Sequence, residues 1–192
     1  MKTKNLRGSI IKKTAIALVV LAVAFAAFAC GNVGSVESMN KTYASSIEKV
    51  KTVTATVAYK DGENTVYSSE TVYVFSSDSS AEVTEKVTAI DTATFENKET
   101  VTTETRNVKK TDMVAVKLES RLINSGYKLA DGELTGEVSG AENVKEFIGG
   151  DLPVFGAVTF TVKFESGKIS LVKYSFVTET QKNAEVTYVY AY

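Results

Sequence analysis

After the first 35 residues, the chain shows two patterns of hydrophobic residues, one after the other. Apolar side chains first recur at spacings of three and four residues, from Val36 to Val50. This spacing predicts an amphipathic helix over residues 36–51, with Ser35 and Ser38 as candidate N-cap residues. Beyond the helix, apolar and polar residues alternate, as they do in strands that bury one face. The helix therefore has a sheet against which to pack its apolar stripe.

The first half of the alternating region predicts strands joined by tight turns. Residues 52–59 and 65–75 flank Lys60–Glu63, where Asp-Gly tolerates the positive φ of a hairpin turn. Residues 81–95 fit either a helix or a bulged strand, and their threonines favour the strand. Residues 96–99 then read as a turn, followed by a Thr- and Glu-rich edge or solvent-facing strand over residues 100–107.

The second half predicts one more strand, a short helix and a final meander. Alternation over Met113–Glu119 predicts the strand, and Ala141–Ile148 predicts a short helix that Gly149 and Gly150 end. Three long antiparallel strands with tight connections follow, at residues 158–164, 169–177 and 184–192.

These elements together define the expected fold class. There is no regular alternation of strand and helix and no repeat of fixed period, so a single domain is expected over residues 36–192. Its class is α+β and mostly β. We expect a curved antiparallel sheet, a half-barrel meander, that packs against the N-terminal helix and the short second helix.

Residues 1–29 have the three parts of an export signal. A basic segment from Lys2 to Lys13 precedes the uncharged stretch Ala15–Ala29. At about 1.5 Å per residue that stretch would form ~22 Å of helix, less than the ~30 Å hydrocarbon core of a bilayer. Small residues end it, as a signal peptidase requires, and the predicted cleavage site is the bond between Ala29 and Cys30.

The sequence Ala27-Phe28-Ala29-Cys30 resembles a bacterial lipobox, with Ala27 at the position where Leu is usual. The resemblance implies that Cys30 is lipidated through a thioether, and two acyl chains hold a protein on a membrane where one barely does. Residues 30–35 would then be a short tether, and the domain would be lipid-anchored on the outer face of the cell membrane or on an outer membrane. The alternatives are an uncleaved N-terminal transmembrane helix and a secreted protein with a free thiol.

Charge and residue inventory exclude several classes of function. Removing residues 1–29 leaves 17 basic and 23 acidic residues, an acidic balance that argues against nucleic acid as a partner. The chain has no histidine and only one cysteine, so zinc sites, Cys-His dyads, Ser-His-Asp triads and internal disulfides are excluded. No phosphate-binding motif is present. We therefore expect no catalytic residue, no metal, no cofactor and no enzymatic activity.

Aromatic residues on the predicted strands are the remaining candidates for a ligand site. They permit two interpretations. The first is ordinary packing in the core. The second is a concave apolar face that the helix covers incompletely, which leaves room for an acyl chain or another apolar ligand. The residues concerned are Tyr59, Phe155, Phe160, Phe164, Tyr188 and Tyr190.

The layout of the whole chain resembles the LolA/LppX-like group of bacterial lipoproteins, which are built on a half-barrel. The resemblance covers the lipobox, the tether, the helix Met39–Val50 and its direct continuation KVKTVTATVAY. A long meander through GAVTFTVKFESGKISLVKYSF to AEVTYVYAY completes it. The resemblance implies a non-catalytic binding protein for a lipid or other apolar ligand. The alternative is a structural or interaction module of the cell surface with a cell-envelope protein as its partner.

Overall fold

The computed structural model describes residues 34–90, 96–150 and 154–192. Within them, nine strands form one antiparallel sheet in the order β4-β3-β2-β1-β9-β8-β7-β6-β5. The sheet is open and curved, with β4 and β5 at its edges, and two helices accompany it. The expected class, mostly β with a curved antiparallel sheet, is confirmed. The export signal, Ala29 and Cys30 lie outside the described residues.

The elements follow one another along the chain with short connections. The helices are α1 (Val36–Ile47) and α2 (Ala141–Ile148), and a 3₁₀ turn spans Lys110–Met113. The strands are β1 (Thr52–Asp61), β2 (Asn64–Ser77), β3 (Ser80–Ile90), β4 (Asn97–Arg106), β5 (Lys128–Ala130), β6 (Glu133–Val138), β7 (Val154–Glu165), β8 (Lys168–Thr178) and β9 (Asn183–Ala191).

Helix α1 begins where its sequence predicts and ends earlier. Ser35 is the N-cap: its Oγ accepts a bond from the Ser38 backbone N–H at 3.1 Å, and the Ser38 Oγ accepts one from the Ser35 N–H at 3.3 Å. This reciprocal pair is a capping box. The helix ends at Ile47 instead of residue 51, although Val50 continues the apolar stripe and is fully buried.

The hairpin and edge-strand predictions are confirmed, with one change of boundary. Gly62 has φ +59° in the turn between β1 and β2, as the Asp-Gly signal requires. Residues 80–90 form a strand, not a helix. The predicted turn at residues 96–99 is wrong beyond Glu96, because β4 already begins at Asn97 and pairs with Ile90. Strand β4 is the sheet edge that its polar composition predicts.

The predicted strand at Met113–Glu119 is wrong. Met113, Ala115, Val116 and Leu118 are buried and Val114 is 43% exposed, and the segment belongs to no strand of the sheet. Its backbone groups bond elsewhere: the Ala115 N–H donates to the Tyr43 hydroxyl at 2.7 Å, and the Lys117 N–H donates to the Phe147 carbonyl at 2.7 Å. The burial of neighbouring Ala115 and Val116 does not follow the alternation expected of a strand.

The C-terminal meander and the short helix are confirmed. Strands β7, β8 and β9 are consecutive neighbours in the sheet. Helix α2 ends at Ile148 and is capped by Gly149, whose φ of +70° is the left-handed conformation that glycine favours. The Gly150 N–H donates to the Lys145 carbonyl.

The core lies between one face of the sheet and the helices. Helix α1 packs against β8, and α2 packs against β6 and β7. Segment 107–126 crosses the same face and is tied to both helices. Lys110 Nζ donates to the Glu48 carbonyl at 3.3 Å, and Lys117 Nζ pairs with Glu146 at 2.6 Å. We call the face that carries these elements the inner face.

Candidate ligand-binding site

Strand register assigns side chains to the inner face in rows that run across β9, β1 and β2. Tyr190, Val53 and Tyr73 make one row, and Tyr190 contacts Tyr43 of α1. Because side chains alternate between faces, every second residue along each strand joins the same face. Two rows further along come Val186, Val57 and Ser69, and the row after that holds Ala184, Tyr59 and Tyr67.

Three of the predicted aromatic residues belong to the packed core. Phe160, Phe164 and Tyr190 are buried, and Phe160 stacks at a tilt on Phe147 of α2 with ring centroids 4.9 Å apart. For these three the core-packing interpretation is confirmed. Tyr59 and Tyr188 are only half-buried, and the side chain of Phe155 lies outside what the structure describes.

Buried tyrosines close one end of the inner face. The Tyr43 and Tyr190 hydroxyls lie 2.7 Å apart, and Tyr190 donates to the Met113 carbonyl at 2.9 Å. Burial, as the largest cause, raises the pKa of both phenols, so both hold their protons and act as donors. Helix α1 and segment 107–126 meet at this point. We call it the covered end.

Beyond the covered end the inner face is open. On β1 and β2 the inner positions between the ring of Tyr73 and the rings of Tyr59 and Tyr67 carry smaller side chains, and we call this stretch of the inner face the depression. All of them are half-buried, although the strands that carry them lie in the middle of the sheet. The depression is floored by Ala55, Val57, Ser69 and Thr71.

A cavity of about 550 Å³ lies at the far end of this depression. The paired rings of Tyr59 and Tyr67, with centroids 5.6 Å apart, form one wall, and Val66 and Ile90 extend it. This volume is within the ~300–1,000 Å³ range of small-molecule sites, which are concave and mostly apolar. An apolar ligand could therefore enter here and lie along the depression.

The opposite wall of the cavity is a polar loop that is held by its own hydrogen bonds. Thr178 Oγ1 lies 3.0 Å from Thr180 Oγ1 and accepts a bond from the Lys182 N–H at 3.0 Å, while the Thr178 N–H donates to the Lys182 carbonyl at 2.8 Å. Glu179 and Lys182 also line the cavity, so both signs of charge are present at its rim. The wall is preformed, which lowers the entropy cost of binding.

Two tyrosine hydroxyls provide polar groups beside the depression. Tyr174 and Tyr188 have no hydrogen-bond partner among the described residues, and neither oxygen is sealed from solvent. Burial raises the pKa of Tyr174, and the nearby hydroxyls of Tyr188, Tyr43 and Tyr59 raise it further. These neutral phenols can donate to or accept from the polar end of a ligand.

The structure brings Tyr59 and Tyr188 of the predicted set to the open region and adds residues that sequence reasoning missed. Tyr67, Val66 and Ile90 were not predicted as site residues. The Asp-Gly turn alone does not predict Tyr67, because it pairs Lys60 with Thr65 and would place Val66 opposite Tyr59. A register shift between Tyr59 and Lys60 places Tyr67 there instead. No pattern in the sequence around Ile90 predicts that it lines a site. It lies at the cavity because β3 pairs with β2.

Metal and membrane-spanning features are absent from the part of the chain that the structure describes. There, no group of three or more Asp, Glu, His or Cys side chains is placed to hold a metal ion. Likewise, none of the described helices combines the length and apolar character needed to cross a bilayer.

Solved structures of similar extent include a mycobacterial protein and a redesigned β-barrel. LprF from Mycobacterium bovis matches with a TM-score of 0.41 and 10% sequence identity, over 80% of this chain and 90% of that chain. A redesigned β-barrel, mFAP1, bound to DFHBI, matches with a TM-score of 0.24 and 12% sequence identity. The match covers 76% of this chain and 97% of that chain. No protein-family model and no curated protein sequence matches the chain. Membership of the LolA/LppX-like group therefore stays a prediction.

Proposed function

We propose that this chain is a membrane-anchored bacterial lipoprotein that binds a lipid or another apolar ligand and catalyses no reaction. The ligand lies on the inner face, in the depression floored by Ala55, Val57, Ser69 and Thr71, and enters through the cavity beside Tyr59. The observation that carries the proposal is this half-buried, aromatic-walled depression in the middle of the sheet.

Burial supports the proposal because an apolar sheet face is normally covered. A half-exposed apolar surface in the centre of a sheet costs free energy in water, at ~25 cal/mol for each Å². In this chain the helices cover β6, β7 and β8, while the inner residues of β1 and β2 other than the buried Val53 are only half-buried. An apolar ligand would remove that surface from water, and the Tyr174 and Tyr188 hydroxyls would contact its polar end.

The proposed anchor is the lipid on Cys30. Only a few residues separate Cys30 from the N-cap Ser35 of α1, so the domain would stand within about 25 Å of the membrane at ~3.3–3.6 Å per residue. A binding face at that distance can exchange a lipid with the bilayer surface. Cleavage between Ala29 and Cys30 would leave the domain extracytoplasmic.

A second candidate function is a structural or interaction module of the cell envelope, which binds a protein partner and no small molecule. The observation that favours it is the long exposed edge strand β4. The two functions differ in what they require of the depression, which the second leaves unused.

Fluorescence titration of the protein without residues 1–29 distinguishes them. An environment-sensitive dye is added first, and palmitate then competes for its site. Ser69 faces the depression opposite Val57, and Ser68 faces the other side of the sheet opposite Ala58. We expect Ser69→Phe to fill the depression and weaken binding about tenfold or more, while Ser68→Phe leaves affinity within about twofold.

Thermal unfolding of both variants serves as the control for folding. If the wild-type protein excludes the dye and ignores palmitate, the carrier function is wrong and the interaction module is favoured. If Ser69→Phe binds as tightly as the wild type, the ligand occupies another surface.

A further inference from the structure

Strand β4 is a long sheet edge with one side unpaired among the described residues. It spans Asn97–Arg106, and all of its residues except Arg106 are exposed. Its pairing with β3 continues along its whole length without a bulge. An edge strand leaves every second backbone N–H and C=O without a partner, and natural edges are usually short, bulged or interrupted by proline. The opposite edge, β5, has three residues.

We propose that β4 pairs antiparallel with β4 of a second copy of this chain, around a twofold axis at Val101. Two sheets would then join into one, with their inner faces on the same side. Val101 is 56% exposed, the largest value among the exposed large hydrophobic residues that the structure describes. Pairing Val101 with Val101 of the second copy covers both side chains.

Alternation of faces limits the registers available. In an antiparallel pair, directly opposite residues point to the same side of the sheet. A twofold axis perpendicular to the sheet keeps inner faces together, so odd-numbered residues must lie opposite odd-numbered ones. The axis therefore passes through a residue, not between two residues, and the central candidates are Thr100, Val101 and Thr102.

Charge selects one of these three registers. With the axis at Val101, Lys98 of each copy lies opposite Glu104 of the other, which gives two ion pairs. With the axis at Thr102, Lys98 lies opposite Arg106 and the two cations repel each other. With the axis at Thr100, Lys98 lies opposite Thr102 and makes no ion pair.

The existing ion pairs leave Lys98 available for this contact. Glu99 pairs with Lys86 at 2.7 Å, and Arg106 pairs with Glu104 at 2.5 Å and with Glu85 at 3.6 Å. Lys98 has no ion pair among the described residues. Glu104 has two carboxylate oxygens, so it can keep Arg106 and accept a bond from Lys98 of the second copy. The unpaired cation of β4 is thus the one that the proposed register neutralises.

Disulfide trapping in membranes tests the register on the full chain. Val101→Cys places two thiols opposite each other, within the reach of a disulfide. Thr103→Cys is the matched control. In the proposed register Thr103 lies opposite Glu99, so the two introduced thiols are four residues, about 13 Å, apart. After oxidation with copper phenanthroline we expect a dimer band from Val101→Cys alone. The wild-type chain, which has only Cys30, shows any background.

A charge-swap experiment in the Val101→Cys chain tests the ion pairs. Lys98→Glu and Glu104→Lys should each lower the dimer yield, because each homodimer then contains two like-charge contacts. Co-expression of the two variants with different tags should restore a mixed dimer. One of its two contacts has its charges reversed and the other keeps the native Lys98 and Glu104, so both contacts join opposite charges. Both substitutions are on exposed positions, and protease resistance of the monomer checks that each variant is folded.

Three results would overturn the proposal. The first is a purely monomeric Val101→Cys chain, and the second is equal dimer formation by Thr103→Cys. The third is a mixed pair of charge variants that dimerises no better than either variant alone. That result would show that Lys98 and Glu104 do not lie opposite each other, so the proposed register would be wrong.

Discussion

The hydroxyls of Tyr43 and Tyr190 form a buried hydrogen bond of 2.7 Å between α1 and the last strand of the sheet. Tyr190 donates its own proton to the Met113 carbonyl, so Tyr43 is the donor to Tyr190, and Tyr43 in turn accepts from the Ala115 N–H at 2.7 Å. Four polar groups from three separate parts of the chain thus satisfy one another. This chain of bonds fixes segment 107–126 over the covered end of the inner face.

Removing either hydroxyl should lower stability. Tyr43→Phe leaves the Ala115 N–H without an acceptor, and Tyr190→Phe leaves the Met113 carbonyl without a donor. An unsatisfied buried group costs about 1–3 kcal/mol, so each variant should lose that much in the free energy of unfolding, measured in urea. Tyr127→Phe, at a residue that is 39% exposed, should change it by less than about 0.5 kcal/mol. Losses no larger than that control would contradict the assigned network.

Stability should fall in alkaline solution. Burial is the largest cause that raises the pKa of Tyr43, Tyr174 and Tyr190 above the ordinary value of about 10. Above about pH 10 the unfolded chain loses these protons and the folded chain keeps them. The stabilising contribution is therefore complete below about pH 10 and is lost as the pH rises further. Urea unfolding at about pH 8 and about pH 11 measures it.

Tyr174→Phe isolates this effect, because the Tyr174 hydroxyl has no hydrogen bond among the described residues to lose. The variant should match the wild type near pH 8 and lose less stability near pH 11. An alkaline loss as steep as that of the wild type would show that Tyr174 ionises normally in the folded protein.

Ser35→Ala should destabilise α1 by about 1 kcal/mol, because it removes the side chain that caps the helix N-terminus. Ser45→Ala is the control in the same helix. The Ser45 hydroxyl bonds only to the Thr42 carbonyl, and alanine is the better helix former there, so little or no loss is expected. Equal losses in the two variants, by urea unfolding, would argue against the capping box.

Cys30→Ser should release the protein from the membrane, because it removes the only thiol that can carry lipid. Membrane fractionation and metabolic labelling with palmitate measure this in a bacterial host. The wild-type chain should be labelled and sediment with membranes. Labelling that persists in Cys30→Ser would contradict lipidation at this residue.

The hydrophobic periodicity of the sequence predicted the helices and strands that bury one face and expose the other. The stripe of α1 and the alternation of β7, β8 and β9 each follow from one buried face, and Asp61-Gly62 fixed the first hairpin. The same rule failed at Met113–Glu119, where Ala115 and Val116 are both buried, Val114 is exposed, and the Ala115 N–H donates to the Tyr43 hydroxyl. The spacing of apolar residues does not by itself distinguish a strand that pairs in a sheet from an irregular segment that is buried in the core.

The candidate site was predictable only in part, because it depends on which strands become neighbours. Tyr59 and Tyr188 were expected on an incompletely covered face, and both are half-buried there. The depression exists because Ser69 and Thr71 lie beside Val57 and Ala55, a register that depends on the one-residue shift between Tyr59 and Lys60 and not on the hairpin turn alone. The cavity also needs Ile90 and the loop from Thr178 to Lys182, which only the order of strands brings together.

Native mass spectrometry of the protein without residues 1–29, purified from a bacterial host, tests ligand binding most directly. We expect the wild type to carry an adduct with the mass of a lipid or fatty acid. Val66→Glu, which places a charge in the cavity wall, should lose the adduct, and Val74→Glu, on the same strand at an exposed position, should keep it. A wild-type protein that carries no adduct and binds no added palmitate would contradict the account, as would an adduct that Val66→Glu retains in full.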